Sequence, residues 1–109
     1  MDEYFTAFIK DWCKKYCIIQ KCKKNFWKCF ESYKAEHPKE FSEHFRNENR
    51  KCVTLNLDKI CLCLNYEGDY GRPTIQVDFR IMLKDNEVGW YREIYFSNGD
   101  FVDEYFVLE

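Results

Sequence analysis

Seven cysteines, two histidines and a group of strand carboxylates are the residues of this chain that could do chemistry. A structural zinc site usually announces itself as closely spaced cysteine pairs. Here the spacings are Cys13-x3-Cys17, Cys22-x6-Cys29 and Cys61-x-Cys63, and His37-x6-His44 is no ligand signature. No metal and no cofactor are expected. A thiol nucleophile needs a base beside it. His37 and His44 are the only candidates, and no spacing ties either to a cysteine. Ser32, Ser42 and Ser97 have no nucleophile-elbow context, and Gly68-Asp69-Tyr70-Gly71 lacks the lysine and following helix of a phosphate loop. No catalytic residue is assigned, and an enzyme is the less favoured expectation.

Asp78, Glu93 and Glu104 remain. Each falls in a segment of alternating apolar and polar residues, so their meeting depends on how strands pair. Crowded carboxylates in a concave, partly dry site can do acid–base work. On an open face they would steer and hold a basic protein surface.

The elements that position them fall into two halves. Residues 1–37 contain no Gly and no Pro. Apolar residues at Phe5, Phe8, Ile9, Trp12, Tyr16, Ile19, Cys22, Phe26, Cys29, Phe30 and Tyr33 recur at helical spacing. One helix over 3–34 would be about 48 Å long, too long for a compact domain of this size. A break is expected near Ile18-Ile19-Gln20, and His37-Pro38 should end the region because the residue before proline leaves the α conformation. Pro38 can open a short helix, Lys39 to Arg46, with Phe41 and Phe45 facing inward.

The period then becomes two. Val53, Leu55 and Leu57 alternate with polar residues, Ile60 to Leu64 continues the apolar pattern, and the parity shift at Asp58-Lys59 marks a turn or bulge. Gly68 to Pro73 is a loop by composition. Strands follow over 75–83, 88–96 and 101–108, joined by turns at Asp85-Asn86 and Asn98-Gly99. The expected fold is α+β in one domain, 1–109: a helical layer (1–48) on one face of an antiparallel meander (52–109) of about four to five strands. Helices followed by a curved antiparallel sheet can form a cone with a pocket, as in nuclear-transport-factor-like and cystatin-like architectures. That likeness is of element order alone.

If both turns are two-residue loops, Phe79 pairs with Arg92, Asp78 with Glu93, Glu93 with Glu104 and Tyr95 with Val102. The helix-covered face then holds Ile75, Val77, Phe79, Ile81, Leu83, Val88, Trp90, Ile94, Phe96, Phe101, Tyr105 and Val107, with Arg92 among them as a structural ion-pair residue. The bare face carries Asp78, Glu93 and Glu104 in a row, flanked by Met82, Tyr91, Tyr95 and Phe106.

Charge is segregated along the chain. Residues 10–34 hold eight lysines against two acids, a balance of +6, and residues 72–109 hold four basic residues against eight acids, a balance of −4. Lys10, Lys14, Lys21, Lys24 and Lys28 line up opposite the apolar stripe. A solvated helix face explains them, and the alternative is a weak, salt-sensitive nucleic-acid patch, since the stripe has no arginine to read bases. The apolar content of 46% is enough for a real core. No apolar run reaches the length of a membrane span, and Met1-Asp2-Glu3-Tyr4 has acids where a secretory leader has positive charge. The expectation is therefore a cytoplasmic protein whose cysteines are free thiols.

The functional expectation is a non-enzymatic protein-binding module, in the manner of an inhibitor or immunity protein. It would dock a basic partner surface through Asp78, Glu93, Glu104, Tyr91, Tyr95 and Phe106. The alternatives are a small-molecule or hydrolytic or isomerase-type pocket using one of those carboxylates, and a weak nucleic-acid binder using the lysines. Self-pairing into a homodimer is also open to the chain, through the edge that the last strand, 101–108, would leave free.

Overall fold

A computed structural model describes residues 2–46, 50–64 and 70–109. Three helices precede a four-stranded antiparallel meander, so the fold is α+β with its helices N-terminal and its sheet C-terminal. The helices are α1 (Asp2–Tyr16), α2 (Ile18–Glu36) and α3 (Pro38–Phe45), and a 3-10 turn at Arg50–Cys52 leads into the sheet. The strands are β1 (Val53–Cys63), β2 (Thr74–Leu83), β3 (Asn86–Phe96) and β4 (Phe101–Leu108), in that spatial order. Among the described residues no helix is long and apolar enough to cross a membrane.

The long helical region breaks at Cys17, just before the β-branched pair. Cys17 adopts the left-handed conformation (φ 53°, ψ 43°), and its N–H donates to the Lys14 carbonyl at 3.3 Å. That conformation costs a non-glycine residue about 1–2 kcal/mol. In return α2 lays Ile18, Cys22, Phe26 and Phe30, all buried, against the sheet. His37 closes α2 with its N–H on the Tyr33 carbonyl, and Pro38 opens α3 as expected. Phe30 then packs on Phe41 and Phe45, each at 5.1 Å between ring centroids. The expected loop over 68–73 is described from Tyr70 onward, with Gly71 at φ 65°; Gly68 and Asp69 lie outside the described residues.

The parity shift in β1 is a bulge. Leu57 pairs with Phe79 and Lys59 with Asp78, so Asp58 is the extra residue. The next strand pair differs from expectation. The turn between β2 and β3 occupies Lys84-Asp85, with Lys84 left-handed at φ 56°, and Leu83 pairs with Asn86. A bulge at Val88 follows, and from there Phe79 pairs with Tyr91 and Asp78 with Arg92. The slip of one residue turns β3 over relative to β2. Gly89 enables it: a Cβ there would collide with the Val107 carbonyl oxygen of β4.

Between β3 and β4 the expected pairs hold for Ile94 with Asp103, Glu93 with Glu104 and Arg92 with Tyr105. Nearer the turn a bulge pairs Tyr95 with Phe101 in place of Val102. The loop is a three-residue one: Gly99 N–H bonds to the Phe96 carbonyl, Gly99 takes φ 92°, and Phe96 N–H bonds to Asp100.

The helix-covered face therefore carries Ile75, Val77, Phe79, Ile81 and Leu83, as expected, together with Tyr91, Glu93, Tyr95, Glu104 and Phe106. Trp90, Arg92, Ile94, Tyr105 and Val107 alternate onto the opposite face. The core lies between α2 and the first of these sets, where Phe26 meets Tyr91 at 5.6 Å and stacks on Phe106 at 5.7 Å.

Candidate functional site

The alternation of β3 sends Tyr91, Glu93 and Tyr95 to one face, and the β3–β4 register sets Glu104 opposite Glu93. Over them α2 presents Cys22, Asn25, Phe26 and Cys29, at the i, i+3, i+4 and i+7 spacing of one helical face. The carboxyl group of Glu93 is thus fully buried, at 0% exposure, beneath a helix.

Every contact to that carboxyl group comes from a neutral donor. The Tyr95 hydroxyl donates to its Oε1, and Asn25 Nδ2 lies 3.5 Å from the same oxygen. The Tyr91 hydroxyl lies 2.5 Å from Glu93 Oε2 and 2.6 Å from Glu104 Oε2. Tyr91 has a single hydroxyl hydrogen, so it can donate to only one of the two carboxyl groups. Glu104 also accepts from the Cys29 thiol at 3.5 Å. Among the described residues neither glutamate has a lysine or arginine ion-pair partner.

These surroundings hold the donors in their neutral forms. Burial, then hydrogen bonding to Glu104 and Glu93, raises Tyr91 far above the usual phenol range. Burial and then the Glu93 hydrogen bond do the same for Tyr95. The Cys29 thiol is pushed up to about 12 by burial and by the Glu104 charge, and Cys22 is raised by burial and Glu93. Since the nucleophile is the thiolate, Cys22 and Cys29 act here as weak donors.

The cluster opens to solvent through one side. A cleft of about 310 Å³ between α2 and β4 is lined by Asn25, Lys28, Cys29, Phe101 and Glu104. Glu104 forms part of its wall, and the Tyr91 hydroxyl connects that wall to the buried Glu93. Phe101, about half exposed, supplies an apolar surface.

The structure brings Glu93, Glu104, Tyr91, Tyr95 and Phe106 together but not on a bare face, which corrects the expected open row. Glu93, Tyr91 and Tyr95 lie under α2, and only the Glu104 end of the cluster reaches water. Asp78 is separated from them on the other face. There Arg92 Nε and a terminal guanidinium nitrogen hold its two oxygens at 2.8 and 3.2 Å, Gln76 adds a bond at 3.1 Å, and Lys59 stands 3.9 Å away. Arg92 is accordingly not within the helix-covered face; its guanidinium packs over the Trp90 ring at 4.8 Å. This arrangement leaves the Arg92 guanidinium partly open to water, while the buried Glu93 carboxyl group relies on the neutral phenol donors.

Lys10, Lys14, Lys21, Lys24 and Lys28 are all exposed, but the Cys17 break divides them between α1 and α2, so they do not form one helical stripe. Asn25 was not singled out from the sequence, and Cys29 and Phe101 were placed on the apolar faces of helix and sheet without a part in this site. The signal was there for Asn25, a polar residue one step before Phe26 on the buried stripe of α2. His44 bonds to Tyr33 and to the Glu40 carbonyl. None of the seven cysteines is in a disulfide, and among the described residues no group of three or more His, Cys, Asp or Glu side chains is placed to hold a metal ion. No family model, no curated protein and no solved structure matches this chain.

Proposed function

We propose that the chain is a non-catalytic protein-binding module, inhibitor- or immunity-protein-like, that receives a basic side chain of its partner in the cleft between α2 and β4. One observation carries this reading: Glu93 and Glu104 share a single tyrosine hydroxyl, neither has an ion-pair partner among the described residues, and Glu104 meets solvent at that cleft. An entering guanidinium or ammonium group supplies the positive charge and the donors that the phenol cannot supply twice. Phe101 offers its ring to the aliphatic stem of such a side chain. Asp100 and Asp103 add negative charge near this end of β4, which favours the approach of a basic surface. The raised thiols and phenols supply hydrogen-bond donors in place of nucleophiles, which fits a site that holds a partner.

Selection of random peptides on the immobilised chain tests this. Peptides carrying arginine or lysine should be enriched, their binding should weaken with salt, and Glu104→Gln should abolish the enrichment. Enrichment of peptides without a basic residue, or equal binding by Glu104→Gln, would refute the assignment.

A further inference from the structure

Residues 53–64 mirror themselves about Asp58-Lys59. Val53, Leu55 and Leu57 stand on one side of that pair, Ile60, Leu62 and Leu64 on the other, and each set is separated by small or polar residues. In an uninterrupted strand the two apolar sets would point to opposite faces, because their positions differ in parity. The bulge at Asp58 removes that conflict. Leu57 pairs with Phe79 and Ile60 with Val77, both on the helix-covered side, so Val53, Leu55, Leu57, Ile60 and Leu62 share one face, and Leu64 follows directly after the strand. β1 is also an outer strand of the sheet, eleven residues long.

That outer edge is not covered in the monomer. Leu57, Leu62 and Leu64 are 49%, 41% and 56% exposed. A groove of about 490 Å³ runs between α1 and β1, with Phe5 and Ile9 on one wall and Leu57 and Ile60 on the other. The radius of gyration, 15.4 Å, exceeds the roughly 13 Å expected of a compact chain this long.

We infer that two copies of the chain pair through β1, antiparallel about a two-fold axis, into a continuous eight-stranded sheet. A two-fold interface requires residue i to meet j and j to meet i. The mirror pattern meets that requirement: Leu57 faces Ile60, Leu55 faces Leu62 and Val53 faces Leu64 of the other copy. At the axis Asp58 of each copy meets Lys59 of the other. The unpaired backbone groups of both edges are satisfied, and the exposed leucines and Phe5 are covered. Within one copy Asp58 bonds Arg80 at 3.2 Å and Lys59 approaches Asp78 at 3.9 Å, so the axial charges join an existing network on the open face. The other outer strand, β4, lacks this symmetry, since Asp103 and Glu104 sit together at its middle with no base beside them. β4 lies at the opposite edge of the sheet, so the cleft on α2 remains free in the dimer.

Sedimentation equilibrium of the full chain tests the pairing through charge exchange. The wild type should be dimeric at micromolar concentration. Asp58→Lys and Lys59→Asp should each raise the dimer dissociation constant by at least about tenfold, because each sets like charges face to face. Mixing the two single variants, and separately combining both changes in one chain, should restore the dimer. Circular dichroism of each variant separates dissociation from unfolding. A monomeric wild type at hundreds of micromolar, or folded single variants that dimerise like wild type, would overturn the inference, as would folded exchange partners that stay monomeric when mixed.

Discussion

Glu93 and Glu104 stand opposite each other on adjacent strands, and the hydroxyl of Tyr91 lies within 2.6 Å of both. This pairing places two carboxyl groups and one phenol hydrogen in a line from the core to the surface. Each end of the line makes a different demand, stability at Glu93 and recognition at Glu104.

At the buried end, Tyr95→Phe removes the hydroxyl that donates to Glu93 Oε1 while keeping the ring in place, and the long Asn25 contact and the weak Cys22 thiol donor do not make up for it. The loss is then that of a hydrogen bond to a buried carboxyl group, about 1–3 kcal/mol. Urea unfolding should show a lower midpoint with an unchanged slope. An unchanged midpoint would mean that the Tyr95–Glu93 bond adds nothing net.

Alkaline pH should unfold the protein. Cys29, Cys22, Tyr91 and Tyr95 are all raised in the folded state, so folding favours their neutral forms. The stability they confer is complete below the ordinary thiol and phenol ranges and declines as pH climbs past about 9 for the thiols and about 10 for the phenols. The melting temperature should fall steeply between pH 9 and 11 on that scale. Tyrosinate absorbance should show the ionisation of Tyr91 and Tyr95 arriving only with loss of the far-ultraviolet signal. Reversible ionisation of all eight tyrosines in a chain that stays folded would contradict the buried cluster.

On the other face, Arg92→Ala strips the nearly buried Asp78 of its two-point partner. The 3.9 Å Lys59 ion pair and the Gln76 hydrogen bond remain, but neither holds both carboxylate oxygens as the guanidinium does. Because the Arg92 side chain is partly exposed, the expected loss is about 1–3 kcal/mol, below that of a fully buried pair. Asp78→Asn combined with Arg92→Ala should lose less than the two single losses added together, read from denaturant midpoints.

Gly99→Ala should loosen α1 from the hairpin. Gly99 takes φ 92°, and a Cβ there would enter the ring of Tyr16. Tyr16→Ala should relieve part of that penalty, leaving only the backbone strain of about 1 kcal/mol. Equal costs of Gly99→Ala with and without the Tyr16 ring would show that α1 does not rest on this turn.

The order of elements was legible in the sequence because periodicity and punctuation agree there. His37-Pro38 ends α2, the parity shift at Asp58 marks a bulge, and Gly99 turns the last hairpin. The site was half legible. The pairing of Glu93 with Glu104 followed from the last hairpin, whose register away from the turn survives the bulge beside it. The face they occupy did not, because it depended on the bulge at Val88; the turn at Lys84-Asp85 alone moves the register by two residues and would have kept the expected face. Gly89 was the available clue, since a glycine inside a strand often marks a bulge or a close backbone approach. That one residue of slip moved Arg92 out to Asp78 and brought Tyr91 and Tyr95 into the core.

The recognition claim rests on the Glu104 end, and a nuclear magnetic resonance titration with N-acetylarginine amide tests it most directly. The account predicts shift changes confined to Asn25, Lys28, Cys29, Phe101 and Glu104, which line the cleft. Those changes should weaken with salt and be lost in Glu104→Gln. Shifts centred on Trp90 and Arg92 across the sheet, or changes that persist in Glu104→Gln, would contradict it.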